Sequence, residues 1–375
     1  MYILANLERK CLLMSIESDL KKDGITVIEP LDTTTVNVIA KNVSKKIVAA
    51  FSNLGFDFDT LYERFSKLPM YIADIPEGMS EASYFYKNSA IYFRDGMGLA
   101  DLEKFAVHEL IHNFQEQKNE KGDLTRLGLC TFKGSKPTGM ALNEAAVQLL
   151  ASNILENTFE TATYYDITFS TVSPNCYPLL CNLIYQMAYV TGEEVLFEST
   201  FNSNDHFKNK FTALCGENAY NQISNYFDKI LETEEKIIKI SNKMQKTELS
   251  TAKVDSLYKK SDELKKQLKS VYFSTQELII NSYFTNSLKT LITSDDVDIF
   301  RKKLYSFQDI IGTTTNYFFF NNYYIQMMEK LDSRYDSLSD YLDDDNTYLI
   351  PKKENKFTKI INYIKKLIWK KESVR

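Results

Sequence analysis

The string His108-Glu109-Leu110-Ile111-His112 constrains this chain more than any other feature, because it holds two of only three histidines. Only a helix brings side chains four positions apart onto one face, where both imidazoles can reach a single point. The flanking residues support that helix. Val107, Leu110, Ile111 and Phe114 form an apolar stripe, while Phe105, His108, Glu109, His112 and Glu116 form a second one. A helical period runs from Leu99 to about Gln117, entered after the break at Asp95-Gly96-Met97-Gly98. One face packs, and the other presents two imidazoles with a carboxylate between them, the pattern of an HExxH metal site.

A catalytic metal of this kind needs a third protein ligand and one open position. The remaining histidine, His206, is one choice. Glu144 is the other. It lies in a second helical pattern from Met140 to about Leu155, reached through a polar, glycine-containing connection from Lys118 to Gly139. There Ala141, Glu144, Ala145, Gln148 and Ser152 make a stripe of small and polar residues, opposite the apolar Ala146, Leu149 and Leu150. Small neighbours leave space for an ion and a substrate beside the carboxylate.

An HExxH helix followed by Leu142-Asn143-Glu144 on a later helix resembles the gluzincin group of metallopeptidases. The Leu-Asn-Glu string is similar to that of aminopeptidases in the group. The resemblance implies a zincin-like catalytic domain, His108, His112 and Glu144 as metal ligands, Zn2+ as the cofactor, Glu109 as the general base and a peptide or protein substrate. Cleavage within chains and removal of N-terminal residues are both compatible with it. About thirty residues separate His112 from Glu144. That is longer than in thermolysin-like or aminopeptidase-like members and nearer to clostridial neurotoxin light chains, which also carry a His-Glu-Leu-Ile-His string. No translocation segment or partner-chain architecture accompanies it here. Gln148 stands where thermolysin-like enzymes have Asp, and its amide oxygen can still accept a hydrogen bond from the far nitrogen of a ligand imidazole. A developing oxyanion takes a further donor in such sites, for which His206, Tyr177, Tyr185 and Tyr189 are the candidates.

Residues 1–70 read as mixed α and β, with a strand-like stretch at Thr34 to Ile39 and helical patterns at Ser44 to Leu54 and Asp57 to Lys67. Ala82 to Tyr86 and Ala90 to Arg94 form a β-hairpin around Lys87-Asn88-Ser89, the expected platform for an extended substrate. Helical pattern returns from Asn175 to Phe227. A Lys- and Glu-rich stretch from Ile230 to Phe273 reads as long exposed helices, or as a helical hairpin broken near Leu249 to Thr251. More helix follows over Ser274 to Leu338, then the acidic run Asp340 to Asp345.

Near the end, Phe357, Ile360, Ile361, Ile364, Leu367 and Ile368 repeat at helical spacing among lysines. Such a tail either contacts an anionic membrane surface or docks on the acidic body of its own chain. The expected architecture is α+β. A zincin-like metallopeptidase domain (small mixed sheet plus HExxH helix and ligand helix) covers 1–220, a mainly α-helical region covers 221–345, and the basic amphipathic tail covers 346–375.

A net charge of −5, with no basic face outside the tail, argues against nucleic acid as a partner. Five cysteines without CxxC spacing argue against a disulfide framework or a Cys-based zinc site. Glu8, Arg9 and Lys10 interrupt any apolar run at the N-terminus, so a signal peptide is not expected and the cytoplasm is the expected location. Abundant Ile, Asn, Lys, Tyr and Phe match the coding bias of an AT-rich bacterial genome. Two rival readings stand beside the peptidase: a non-catalytic metal-binding protein, and a membrane-surface interaction protein that works through its long helices and tail. Oligomeric state is not written in these patterns.

Overall fold

The computed structural model describes residues 16, 18–22, 24–76, 79–134, 136–246, 250–311 and 317–343. Its first long helix, α1 (Thr33–Ala50), occupies the stretch expected to be a strand. The Asp32 side chain caps it, accepting a hydrogen bond from the Thr35 N–H at 3.0 Å. Val36, Ile39, Ala40, Val43 and Ile47 then bury one stripe. The β-branched residues of Thr34 to Ile39 favour a strand by propensity, but a capped start and a stripe at helical spacing outweigh that weak preference. A second helix, α2 (Phe58–Ser66), begins in the same way, with Asp57 accepting from the Thr60 N–H at 2.8 Å.

Four strands make a mixed sheet: β1 (Thr26–Pro30), β2 (Met70–Asp74), β3 (Ala82–Phe85) and β4 (Ala90–Arg94), in the order β1-β2-β4-β3. β2 and β4 run parallel, and the other two pairs are antiparallel. Ala90, Ile91, Tyr92 and Phe93 are all buried, as a strand paired on both sides and covered on both faces requires. β3 pairs with β4 in the expected hairpin, with Ala82 opposite Phe93 and Phe85 opposite Ala90. Its other side is a free edge, and helix α3 (Leu99–Gln115) packs against it.

The connection from Lys118 to Gly139 is not irregular. It belongs to an antiparallel meander of β5 (Glu116–Lys118), β6 (Leu124–Leu127), β7 (Cys130–Lys133) and β8 (Lys136–Thr138). Strands of three or four residues are too short to display an alternating pattern, which is why their sequence reads as loop. α3 also stops at Gln115, short of the expected end, because Glu116 turns extended at ψ 123° and opens β5.

Helix α4 (Met140–Ile154) follows, then a hairpin of β9 (Glu160–Tyr164) and β10 (Ile167–Thr171). Tyr165 and Asp166 take φ of 51° and 60° at its tip, the left-handed pair that a tight two-residue hairpin turn demands. Seven helices complete the described chain: α5 (Pro178–Thr191), α6 (Glu193–Phe201), α7 (His206–Cys215), α8 (Glu217–Lys246), α9 (Thr251–Leu288), α10 (Ser294–Ile311) and α11 (Tyr317–Asp343). The chain is therefore α+β, with a mainly helical C-terminal region. α8 and α9 form the long helical pair, separated near the expected break.

One hydrophobic cluster runs from Val36 on α1 to Leu331 on α11, so the C-terminal helices share a core with α3 and α4. No helix among the described residues is long and apolar enough to cross a membrane. The tail at 346–375 and the end of the acidic run lie outside the described residues.

Candidate metal centre

α3 and α4 lie side by side and bring His108, His112 and Glu144 together. The Nε2 atoms of the two imidazoles are 3.0 Å apart. Glu144 reaches both: Oε2 lies 3.3 Å from His108 Nε2, and Oε1 lies 3.4 Å from His112 Nε2. A tetrahedron built on metal–ligand bonds of about 2.0 to 2.2 Å has edges of about 3.3 to 3.6 Å, close to these three separations. The donor set of two nitrogens and one oxygen fits a single divalent ion and leaves a fourth corner open.

The electrostatics point the same way. Burial works against the charge on Glu144, but the two imidazoles more than offset it and hold the carboxyl well below the usual carboxylate range. Burial likewise disfavours the His108 imidazolium, yet Glu144 and Glu109 beside it push its pKa up to about 9. Two imidazole nitrogens facing each other across 3.0 Å need an N–H on one of them, donating to the other, or a shared metal ion between them.

Polar contacts behind these side chains fix their direction. His108 Nδ1 lies 2.8 Å from Gln148 Oε1, which turns Nε2 toward Glu144. Gln148 Nε2 in turn donates to Ser173 Oγ at 3.0 Å, and that hydroxyl donates to the Cys176 carbonyl at 2.5 Å. The other imidazole differs, since His112 Nδ1 is buried without a partner.

Asn143 is fully buried beside Glu144 and accepts the Leu129 N–H at 2.9 Å. It also donates to Gln115 Oε1 at 3.2 Å, and Gln115 Nε2 donates to the Thr200 carbonyl at 2.9 Å. The residue before the carboxylate thus ties α4 to α3, to the β6–β7 turn and to α6.

Glu109 is only 6 % exposed, and burial raises its carboxyl pKa against the opposing pull of His108 and His112. Its Oε2 accepts the Tyr84 backbone N–H at 2.6 Å, from the free edge of β3. The Tyr84 hydroxyl is held as well, accepting Asn113 Nδ2 at 3.1 Å, and Arg64 Nε donates to Asn113 Oδ1 at 2.9 Å. One tyrosine therefore joins the edge strand to α3 at two points. No side-chain pattern announces this, because the contact to Glu109 is made by backbone. The hairpin itself was the only available signal.

Of the candidate oxyanion donors, Tyr177 stands nearest the cluster, with its ring centroid 6.3 Å from that of His108. It sits before Pro178 at the start of α5 with φ 47°, a left-handed conformation rare for an aromatic residue. The others point elsewhere. Tyr185 packs on Phe159, Tyr189 donates to the Lys303 carbonyl at 3.1 Å, and His206 pairs with Glu198 at the exposed start of α7. His206 thus takes no part in the cluster of possible ligands. Comparison of the chain with protein-family models, curated proteins and solved structures finds no match.

Proposed function

We propose that the chain is a zinc-dependent peptidase of the gluzincin type, with His108, His112 and Glu144 as ligands and Glu109 as general base. The observation that carries this reading is the convergence of His108 Nε2, His112 Nε2 and the Glu144 carboxylate to 3.0–3.4 Å, with the Glu109 carboxylate buried on the same helix. Two imidazoles favour zinc over magnesium or calcium, which prefer all-oxygen sites. Three protein ligands with an open corner favour a catalytic ion over a structural one.

When bound, zinc polarises a substrate carbonyl and lowers the pKa of a water to about 7. Glu109 then accepts the proton of the attacking water and delivers it to the leaving amine. The Tyr84 N–H holds one of its oxygens, so the other is free for that proton. β3 is the edge strand of its sheet and stands as the platform for an extended peptide, and Tyr177 is the hydroxyl best placed to donate to the developing oxyanion. Cys130, Cys176, Cys181 and Cys215 are free thiols, which suits a reducing compartment such as the cytoplasm.

Metal analysis and peptide hydrolysis test the reading together. The purified chain is expected to hold one zinc and to cleave members of a peptide library, and Glu109→Gln to keep the zinc while losing hydrolysis by several orders of magnitude. Stoichiometric zinc with no cleavage of any peptide would leave a non-catalytic metal-binding protein instead.

A further inference from the structure

The net charge of −5 hides a segregation of the lysines. Ten of them lie from Lys236 to Lys269 with no arginine and only four acidic residues, a net of +6. Residues 346–375 carry a further +7, so the rest of the chain stands at −18. The first of these basic segments is the distal part of α8 and α9.

The main hydrophobic cluster reaches along the two helices as far as Ile237 on α8 and Leu264 on α9. Further out, Ile240 and Leu257 are buried but belong to no such cluster, as expected where two helices cover each other and nothing else. α9 runs from Thr251 to Leu264 before it meets the core, roughly 20 Å at 1.5 Å per residue. The pair therefore forms an arm on the acidic body.

The exposed lysines of the arm are ordered. At 3.6 residues per turn, Lys236, Lys239 and Lys243 make one stripe on α8, and Lys253 and Lys260 make another on α9. The buried lines are Ile237 and Ile240 on α8, and Leu257, Ser261 and Leu268 on α9. Both stripes are turned from these lines by roughly 60° to 130° in the same rotational sense. In an antiparallel pair, that brings them to one face. Ser256, Glu263 and Gln267 share the α9 side of this face and Glu232 borders the α8 stripe, none of them apolar. Lys236 and Lys239 pair with Glu232 and Glu235 at 3.5 and 3.4 Å, exposed contacts that hold them only weakly.

We propose that this lysine face docks on an anionic lipid membrane. A protein partner asks for apolar side chains at the centre of the contact, and the face presents none. Arginine, the residue suited to reading nucleic-acid phosphates and bases, is absent. Lysines spread over a polar face suit lipid headgroups, which are mobile in the plane and need no fixed match. The length of the arm serves the same contact. Lys243 and Lys253 stand roughly 9 and 16 Å beyond Ile237 and Leu264, farther than the Debye length of about 8 Å that screens the field of the acidic body. The contact does not involve the metal centre, so its test is separate from that of the peptidase reading.

The full chain is sedimented, at low and at high salt, with vesicles of phosphatidylcholine alone or of three parts phosphatidylcholine to one part phosphatidylserine. Binding is expected to the mixed vesicles only, and to fall with salt. Each lysine close to such a surface multiplies binding by about fivefold, so Lys243→Gln, Lys253→Gln and Lys260→Gln together should weaken it by about tenfold or more. The control carries Lys41→Gln, Lys45→Gln and Lys46→Gln at exposed positions on α1 and should bind as the parent does. No preference for the mixed vesicles would overturn the proposal. So would binding that survives in the arm variant, which would assign the contact to residues 346–375, or an equal loss in both variants, which would make it an effect of net charge. A chain that ignores vesicles but binds a DNA duplex or self-associates through the same lysines would also overturn it, giving the face to another partner.

Discussion

Replacing Gly128 with alanine tests how tightly the β6–β7 turn is built against the metal centre. Gly128 has φ +57°, and a Cβ there would lie 2.1 Å from Asn143 Oδ1, 2.4 Å from Gln115 Nε2 and 2.7 Å from Gln115 Cδ. The left-handed backbone alone costs an alanine about 1 kcal/mol. The collisions must be relieved by moving Asn143 and Gln115, whose bonds to the Leu129 N–H and to each other are buried. Losing two such bonds adds roughly 3 kcal/mol, for a total of about 4 kcal/mol.

Urea unfolding of the metal-free chain is the assay, with the midpoint expected to fall at unchanged slope. Gly55→Ala serves as the control. Its backbone is left-handed, at φ +70° and ψ 29°, with nothing within 4 Å of the added methyl, so only the backbone cost should register. Because Asn143 precedes Glu144, zinc affinity measured by chelator competition should fall in Gly128→Ala and not in Gly55→Ala. Equal loss of stability in the two variants, with zinc binding untouched in both, would refute the reasoning.

Glu144→Ala should weaken zinc binding strongly, whereas His206→Ala, which loses only an exposed pair with Glu198, should leave it intact. Metal titration of both variants checks this, and the reverse result would make His206 the ligand. Gln148→Leu should lower zinc affinity about 10- to 100-fold by freeing His108 Nδ1. Unchanged affinity would remove Gln148 from its supporting role. Burial pushes the Glu234 carboxyl up to about 8 from its ordinary 4.5, so its contribution to stability is full below pH 4.5 and fades as pH rises through 8. Glu234→Gln should therefore exceed the parent in stability at pH 9 by a few kcal/mol and match it near pH 4, as read by urea unfolding at the two values.

Helices α3 and α4 were legible because their signal is strong and local. His108, Glu109 and His112 advertise a shared face, and Ala141 and Ala145 flank Glu144 at helical spacing. The long helices α8 and α9 announce themselves through their charged faces and the polar break between them. Short strands did not. β5 to β8 offer three or four residues each, and a two-residue period needs more than that to emerge. The error at Thr34 to Ile39 came from weighing β-branched residues above the cap at Asp32. Tyr84 could not be read at all, since its N–H looks like every other backbone N–H until the edge strand is in place.

The meander between α3 and α4 bears on how ligand spacing should be interpreted. Its outer turn at 119–123 is exposed and closes on itself through the Asn119 and Asp123 backbones, while its inner turn at Gly128 and Leu129 is welded to Asn143. Residues inserted or deleted at the outer turn would change the interval between His112 and Glu144 without moving either ligand, at an entropic cost of only about 0.6 kcal/mol per doubling of loop length. The interval therefore carries little information about the geometry of the cluster. What that geometry does depend on is Gly128 and Asn143 at the inner turn, where a side chain on the one would collide with the other.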